Sequence, residues 1–428
     1  MESLAFTNTS WHPAKKILFR FCLVYFFIYC FPFPFDSFEF TKPIAQPYYN
    51  FLDFIIPRIG QSWFQLKAKT AFPMFDKVDD SYYGLVHLYT TLVISFIATI
   101  IWSIIDRRRK NYEVLRRWLR LYLRFFLAAY LFGYGFVKVF PSQFQPITAF
   151  RLTQTVGDQS PMLLAWNFMG YSSIFQKILG ITEVVAGIFL LFRRTTTIGA
   201  ILSFGVFGFV VMMDFSFNVP VRLLSSHLLF ISAFLFLGDG NRLMNIFFLN
   251  RPAAAVIEKP LITHPLYRKV FSGILIILGI CLFYSQIIIS RKSEKEFGWK
   301  APQSPLYGVY NTTYFIRNND TIPPFQTDSL RWKQLVIDGG AWNQLGVVKV
   351  NSDKRVTYKI EADTTKHILK INLLSDTTEK YSFNYSKPDS EHLLINGVWK
   401  KDTIKVLMDK YDLNNYLLHK EKFTWINE

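Results

Sequence analysis

Residues 115–140 read LRRWLRLYLRFFLAAYLFGYGFVKVF. The run is long and apolar enough to cross a bilayer, for which about 20 residues suffice. It carries Arg116, Arg117, Arg120 and Arg124 at one end and Lys138 near the other. At about 100° per residue, Arg120, Arg124, Leu131, Tyr134 and Lys138 share one stripe of a helix. Arginines near a helix end reach the headgroup layer by extending their stems. Lys138 has two readings. One is an interfacial cation. The other is a buried functional group, because it follows Gly133-Tyr134-Gly135, where small residues admit a neighbouring helix and a tyrosine offers a polar tip.

Similar apolar runs recur through the first 290 residues and then cease. With 51% hydrophobic residues and 44 Phe in 428, the chain is too apolar for one soluble domain. The pattern is that of a polytopic α-helical membrane protein with a soluble tail. About seven transmembrane helices are expected, near 17–33, 84–105, 115–140, 171–192, 195–213, 221–237 and 270–289. The first has no small-residue cleavage site behind it and reads as a retained helix. Between the first two, FLDFIIPRIGQSWFQL (51–66) is an amphipathic piece suited to a membrane surface. The connection at 141–170 is long and half apolar, which points to a re-entrant or surface-lying segment.

The formal charge of +17 raises the question of nucleic acid. Residues 291–428 hold 21 Lys+Arg against 17 Asp+Glu, a balance of only +4, so +13 belongs to the membrane half. There, basic loops set orientation and meet anionic lipid. No basic-aromatic surface accompanies the charge, and no nucleic acid partner is expected. The N-terminus, the RRRK block at 107–110, Arg193-Arg194 and the 239–269 loop are the basic loops. All four fall on one side if seven spans start from a cytoplasmic N-terminus. The tail and residues 34–83, 141–170 and 214–221 are then extracytoplasmic.

In the tail the period changes to two. RVTYKIE (355–361) sets Val356, Tyr358 and Ile360 on one face, and 369–373, 381–385 and 404–408 alternate alike. Eight or nine short strands imply an antiparallel all-β barrel or sandwich, with Asn396-Gly397 as a hairpin signal. A small barrel either holds an apolar ligand or, more commonly, has a filled core. The division expected is a two-helix extension at 1–110, a four-helix core at 111–250, a connection and seventh helix at 251–290, and the β-domain at 291–428.

The three cysteines, Cys22, Cys30 and Cys281, all lie in apolar runs, which excludes a C-x-x-C relay and a stapled tail. No zinc spacing, P-loop or G-x-S-x-G is present, so no metal site is expected. What remains is a polar set at the outer side: Lys138, Arg151, Asp214, Arg222 and His227, with Glu183 near mid-membrane. Gly180 and Gly187 stand one turn either side of Glu183 and form a small-residue seam on its face. A bare carboxylate there costs several kcal/mol, so Glu183 is expected either protonated or paired with Lys138 or Arg151. Glu183 and His227 are the candidate proton-transfer residues; Lys138, Tyr134, Arg151, Asp214 and Arg222 are the candidate ligand-binding ones. Duller readings stand beside these: a core histidine, interfacial charges at Asp214 and Arg222, and a loop-to-phosphate contact at Arg151. The layout suits a quinone-like or anionic headgroup, and equally a phospholipid headgroup or a docking surface.

At these residues the chain resembles the DoxX family. The features are G-Y-G-F-V-K at 133–138, Arg151, the E-x-x-x-G pair Glu183 and Gly187, LFRRTTTIGA at 191–200 and S-S-H at 225–227. The resemblance covers roughly residues 112–250. The longer layout, ending in Trp425-Ile426-Asn427-Glu428, is similar to DoxX-type proteins of Bacteroidetes. It implies a four-helix unit in a bacterial inner membrane, a quinone-linked redox role in a complex, quinone as the non-covalent cofactor, and membrane lipids and a membrane or extracytoplasmic protein as partners. No haem, flavin or iron–sulfur ligand set is visible, so electrons must come from a partner. The alternative is a non-enzymatic scaffold or assembly factor whose β-domain binds an exported protein.

Overall fold

The computed structural model describes residues 10–65, 80–253, 260–338, 345–374 and 379–420; the terminal Trp425–Glu428 motif lies outside the described residues. In chain order the helices are α1 (Pro13–Cys30), α2 (Lys42–Phe64), α3 (Tyr82–Ile105), α4 (Glu113–Val139), α5 (Ala149–Leu152), α6 (Pro161–Tyr171), α7 (Ser173–Leu191), α8 (Thr196–Ser216), α9 (Arg222–Leu237), α10 (Gly240–Phe247), α11 (Pro265–Glu296) and α12 (Leu417–Lys420). The strands are β1 (Gly308–Arg317), β2 (Asp320–Thr321), β3 (Trp332–Ile337), β4 (Leu345–Val350), β5 (Arg355–Asp363), β6 (Ile368–Leu373), β7 (Lys380–Ser386), β8 (His392–Trp399) and β9 (Asp402–Tyr411). The chain forms two compact units, neither continuous in sequence. One comprises Met1–Val139 with Ile178–Ile289, the other Phe140–Lys177 with Ser290–Glu428.

The first unit is helical and turned inside out relative to a soluble bundle. On α3, Thr91, Ser95 and Thr99 are buried while Phe96, Ile97, Ile100 and Ile104 are exposed. Apolar groups gain nothing by leaving hydrocarbon, so polar groups turn inward to find partners, as Thr99 does by donating to the Ser95 carbonyl. Among the described residues, four helices (α3, α7, α8 and α11) are long and apolar enough to cross a membrane, or five spans if α9 and α10, bent by 74°, count as one. The chain is thus a membrane protein, but length and composition do not yield the expected seven spans. The physical reason is charge: α1 carries Lys15, Lys16 and Arg20, and α4 carries Glu113, four arginines and Lys138. The amphipathic piece belongs to a longer helix, α2, with Pro47 and Pro57 inside it and Phe51, Phe54 and Trp63 exposed.

Local chemistry fixes several helix starts. His12 accepts the Ala14 N–H ahead of α1, Ser81 accepts the Gly84 N–H for α3, and Ser160 accepts the Leu163 N–H for α6. Arg20, near the basic start of α1, is buried. Its guanidinium donates to the Tyr112 hydroxyl, the Ser103 hydroxyl at 2.7 Å and the Asp106 carbonyl at 2.9 Å, tying α1 to the end of α3 and the start of α4. Arg124 is likewise buried. It donates to the Leu190 and Leu191 carbonyls, the last of α7, which lack partners within their own helix.

The second unit is an eight-stranded antiparallel barrel. Strands β1 and β3–β9 pair in sequence, and β1 pairs with β9 from Val309↔Tyr411 to Arg317↔Ile404, which closes the ring; β2 is a two-residue flap on β1. Closure leaves only the short β2 flap with an open edge. The interior is filled with packed side chains: Trp332 and Trp399 meet edge to face at 5.0 Å, and Phe383, Leu369, Ile371 and Met408 complete the packing. Eight strands leave an interior that side chains alone can fill, and here they do.

Two expectations are corrected in this unit. Asn396-Gly397 is not a turn but lies inside β8, paired with Asn384 and Phe383. A Cβ at Gly397 would stand 2.7 Å from Phe383 Cδ1, so the glycine serves the ring packed against it. The turn falls at Lys400-Lys401, both left-handed (φ 49° and 79°), with Trp399 paired to Asp402. The half-apolar connection does more than lie on a membrane surface: its part around Ala149 docks on the barrel wall. Ala149 is fully buried against Val309, Val336 and Val347, which point outward from β1, β3 and β4. The Thr148 hydroxyl donates to Asp338 at 2.6 Å, the Tyr307 hydroxyl accepts the Ala149 N–H at 3.0 Å, and Arg355 donates to the Phe150 and Thr153 carbonyls. Ala149 and Phe150 are apolar because they cover apolar wall, while Leu164 and Phe168 of α6 stay exposed.

Candidate functional site

Helices α4 and α7 meet backbone to backbone. A Cβ at Gly180 would lie 2.5 Å from the Gly135 carbonyl oxygen, and one at Gly187 would lie 2.7 Å from the Phe132 ring. The seam of small residues thus lets α4 approach α7 closely at the turn that carries Glu183. Lys138 Nζ donates to Glu183 Oε2 at 2.9 Å and to the Tyr134 carbonyl at 3.1 Å. The two charged side chains are only 7% and 5% exposed, and the ammonium sits 5.3 Å from the Tyr134 ring centroid. Of the alternatives for Glu183, the pair with Lys138 is the one formed.

Other members of the expected set gather around it. Asp214, buried near the end of α8, stands beside Ser225 and within electrostatic reach of Lys138, Asp80 and Arg222. Its Oδ2 is buried with no hydrogen-bond partner among the described residues. Arg222 pairs with Asp80 (Nε to Oδ2, 2.5 Å) rather than with Asp214. Asp80 also accepts the Arg222 and Leu223 backbone N–H groups, and so places an anion on the positive end of α9.

His227 sits on α9. Nδ1 is 2.5 Å from the Leu223 carbonyl, which can only accept, so that nitrogen carries the proton. Nε2 then accepts from the Tyr25 hydroxyl at 2.5 Å. Tyr29 stacks on the imidazole at a centroid distance of 3.9 Å. Tyr29 is in turn within electrostatic reach of Tyr130 and Tyr134. Two contact groups result, Tyr25–His227–Tyr29 on α1 and α9 and Tyr130–Tyr134–Lys138–Glu183 on α4 and α7, within electrostatic reach of each other.

Arg151 does not join them: it belongs to the second unit, where Nη1 donates to Asn167 Oδ1 at 2.5 Å. Burial there pushes the Arg151 guanidinium below its ordinary value, against the opposing pull of Asp338. Sequence reading missed Asp80, Tyr25 and Tyr29. Asp80 lies in an unpatterned stretch, and the tyrosines look like ordinary members of an aromatic run. The Tyr25-to-Tyr29 spacing of one helical turn was the only available signal.

No family model matches the chain, and no solved structure matches it. An uncharacterized protein, YwoB of Bacillus subtilis (strain 168), is 30% identical over 116 residues, which is 27% of this chain and 73% of that protein.

Proposed function

We propose that this chain, which belongs to the same family as Bacillus subtilis YwoB, is a DoxX-like membrane subunit of a quinone-linked redox complex. Its helical unit would hold the polar head of a quinone or similar lipid-soluble ligand beside Lys138. The observation that carries the reading is the buried Lys138–Glu183 pair with the unsatisfied Asp214 Oδ2 within its field. A buried carboxylate oxygen without a donor is costly unless something supplies one, and a hydroxyl-bearing headgroup would. Lys138 offers N–H donors to a carbonyl oxygen, and Tyr134 and Tyr130 offer flanking rings. Glu183 is placed to exchange a proton through Lys138, and His227, beyond Tyr134, Tyr130 and Tyr29, is the second candidate for proton exchange. Bound there, a quinone would supply two-electron, two-proton redox chemistry, with the electrons coming from a partner protein.

We further propose seven spans, a cytoplasmic N-terminus and an extracytoplasmic barrel in a bacterial inner membrane. Parity supports this. The connection after α4 and the tail after α11 share one compact unit, so an even number of crossings separates them. Helices α7, α8 and α11 alone would give three; the bent α9–α10 pair makes four. Counting α1, α3 and α4 before them gives seven.

The test is native mass spectrometry with lipid extraction on protein purified in mild detergent. Wild type should carry quinone, and Glu183→Gln and Tyr134→Phe should lose it; absence of quinone from wild type would overturn the assignment. A scaffold role is favoured by one observation, the filled barrel interior, which leaves the barrel no ligand to hold and only its outer surface to offer. A stable protein partner unaffected by Glu183→Gln, with no quinone, would support it.

A further inference from the structure

At the opposite end of α4 from Lys138 lies a cleft of about 1050 Å³ between α4, the α7–α8 turn, α10 and α11. Arg120 and Lys138 are 18 residues apart on one helix, or about 27 Å at 1.5 Å per residue, so the cleft lies near the other face of the membrane. Its lining is sharply divided. Among the described residues, seven arginines at one end stand against a single carboxylate, Asp239. That carboxylate is already taken, by Arg120 at 2.6 Å and by the Thr197 hydroxyl. Arg124 is occupied with the carbonyl end of α7. Among the described residues, Arg194 and Arg268 form no ion pair, and Arg242 Nε is buried without a hydrogen-bond acceptor. The rest of the cleft is apolar: Leu121 and Phe125 of α4 face Phe271, Leu275, Ile276 and Ile280 of α11. From Arg268 to Tyr284 this wall runs about 24 Å along α11, longer than one leaflet of hydrocarbon.

We propose that this cleft is a binding site for an anionic phospholipid. The phosphate accepts from Arg242, Arg194 and Arg268, and an acyl chain lies along the wall between α4 and α11. Planar guanidinium groups suit phosphate oxygens, and unneutralised arginines beside hydrocarbon need an anion that is itself amphiphilic. A soluble anion satisfies only the basic end; a zwitterionic lipid brings its own cation into a site that already holds an excess of them. The basic loops of the proposed topology put the cleft in the cytoplasmic leaflet, whose anionic lipids attract such clusters. The site is separate from the Lys138–Glu183 pair and does not depend on the quinone reading.

The test uses the full chain in mild detergent, with phosphatidylglycerol, phosphatidylcholine of the same acyl chains, or glycerol phosphate added. Native mass spectrometry should show phosphatidylglycerol retained at least tenfold over phosphatidylcholine, and only phosphatidylglycerol should raise the melting temperature. The double variant Arg194→Gln/Arg268→Gln, at two exposed positions, should lose that preference about tenfold while melting like wild type without lipid. Should that variant fold poorly, Ile276→Trp, which fills the apolar half, should weaken phosphatidylglycerol binding to a similar extent. Equal retention of the two lipids, unchanged binding by a folded variant, or equal stabilisation by glycerol phosphate alone would overturn the proposal.

Discussion

Removing Glu183 and removing Lys138 leave different things behind. Glu183→Gln strands an ammonium that is 7% exposed, with only the Tyr134 carbonyl and ring to hold it. Lys138→Met strands a carboxylate. Breaking a buried pair from one side costs about 3–5 kcal/mol, whereas replacing both partners by apolar groups is often neutral. Urea unfolding in micelles should therefore rank each single variant well below wild type and Lys138→Met/Glu183→Leu close to it; additive losses would mean that the pair is not a unit. His392 at the barrel gives a pH signature. Its Nδ1 lies 2.7 Å from Asp389 and its Nε2 3.5 Å from Asp409, and the Asp389 hydrogen bond holds the imidazole above its ordinary 6.5. The stabilisation is complete below pH 6.5 and is lost as pH rises through the raised value. Hydrogen exchange in β8 and β9, corrected for intrinsic rate, should quicken across that window and stay flat in His392→Gln. Lys138 and Glu183 were legible in the sequence because charges inside apolar runs are conspicuous. Asp80 and Tyr25 were not, because partner choice across 142 and 202 residues leaves no local trace.

At the scale of elements, period proved a better guide than turn chemistry. The seven apolar runs and the alternating tail all became helices and strands, since burial enforces 3.6- and 2-residue spacing along the whole of an element. A turn is decided by two residues and yields more easily to packing. The barrel places its tight turn on Lys400-Lys401, residues with a Cβ penalty at positive φ, and spends Asn396-Gly397 inside a strand under the Phe383 ring. Lys400→Asn/Lys401→Gly should therefore stabilise the barrel by about 0.5–1 kcal/mol, read as a rise in its unfolding temperature. The part of the 141–170 connection around Ala149 turned out to face protein for a related reason. Apolar residues in a loop signal a covered surface, and sequence alone does not say whether lipid or protein covers it.

For the whole molecule, the parity of crossings is the claim most exposed to refutation. In a cysteine-free background, Asn319→Cys on the β1–β2 turn should react with a membrane-impermeant maleimide in intact spheroplasts. Arg108→Cys, after α3, should react only after lysis; the reverse pattern would invert the proposed topology. The proposed count of seven exceeds what length and composition yield because α1 and α4, which carry much of the polar cluster, hold charges within their apolar runs. Chemistry inside a membrane dilutes the very hydropathy by which a span is recognised.

The pairing of the connection with the barrel wall also sets a schedule. Thr148 and its partner Asp338 are 190 residues apart, and β1 cannot close until β9 exists. At roughly 5–20 residues per second, the first partner leaves the ribosome about 10–40 s before the second. Throughout that interval Ala149 and its neighbours wait uncovered while the helices from α7 to α11 are made. A chain that stalls before its last strand keeps this patch open, and one that finishes hides it, so the nascent protein bears a visible mark of unfinished assembly until that strand arrives.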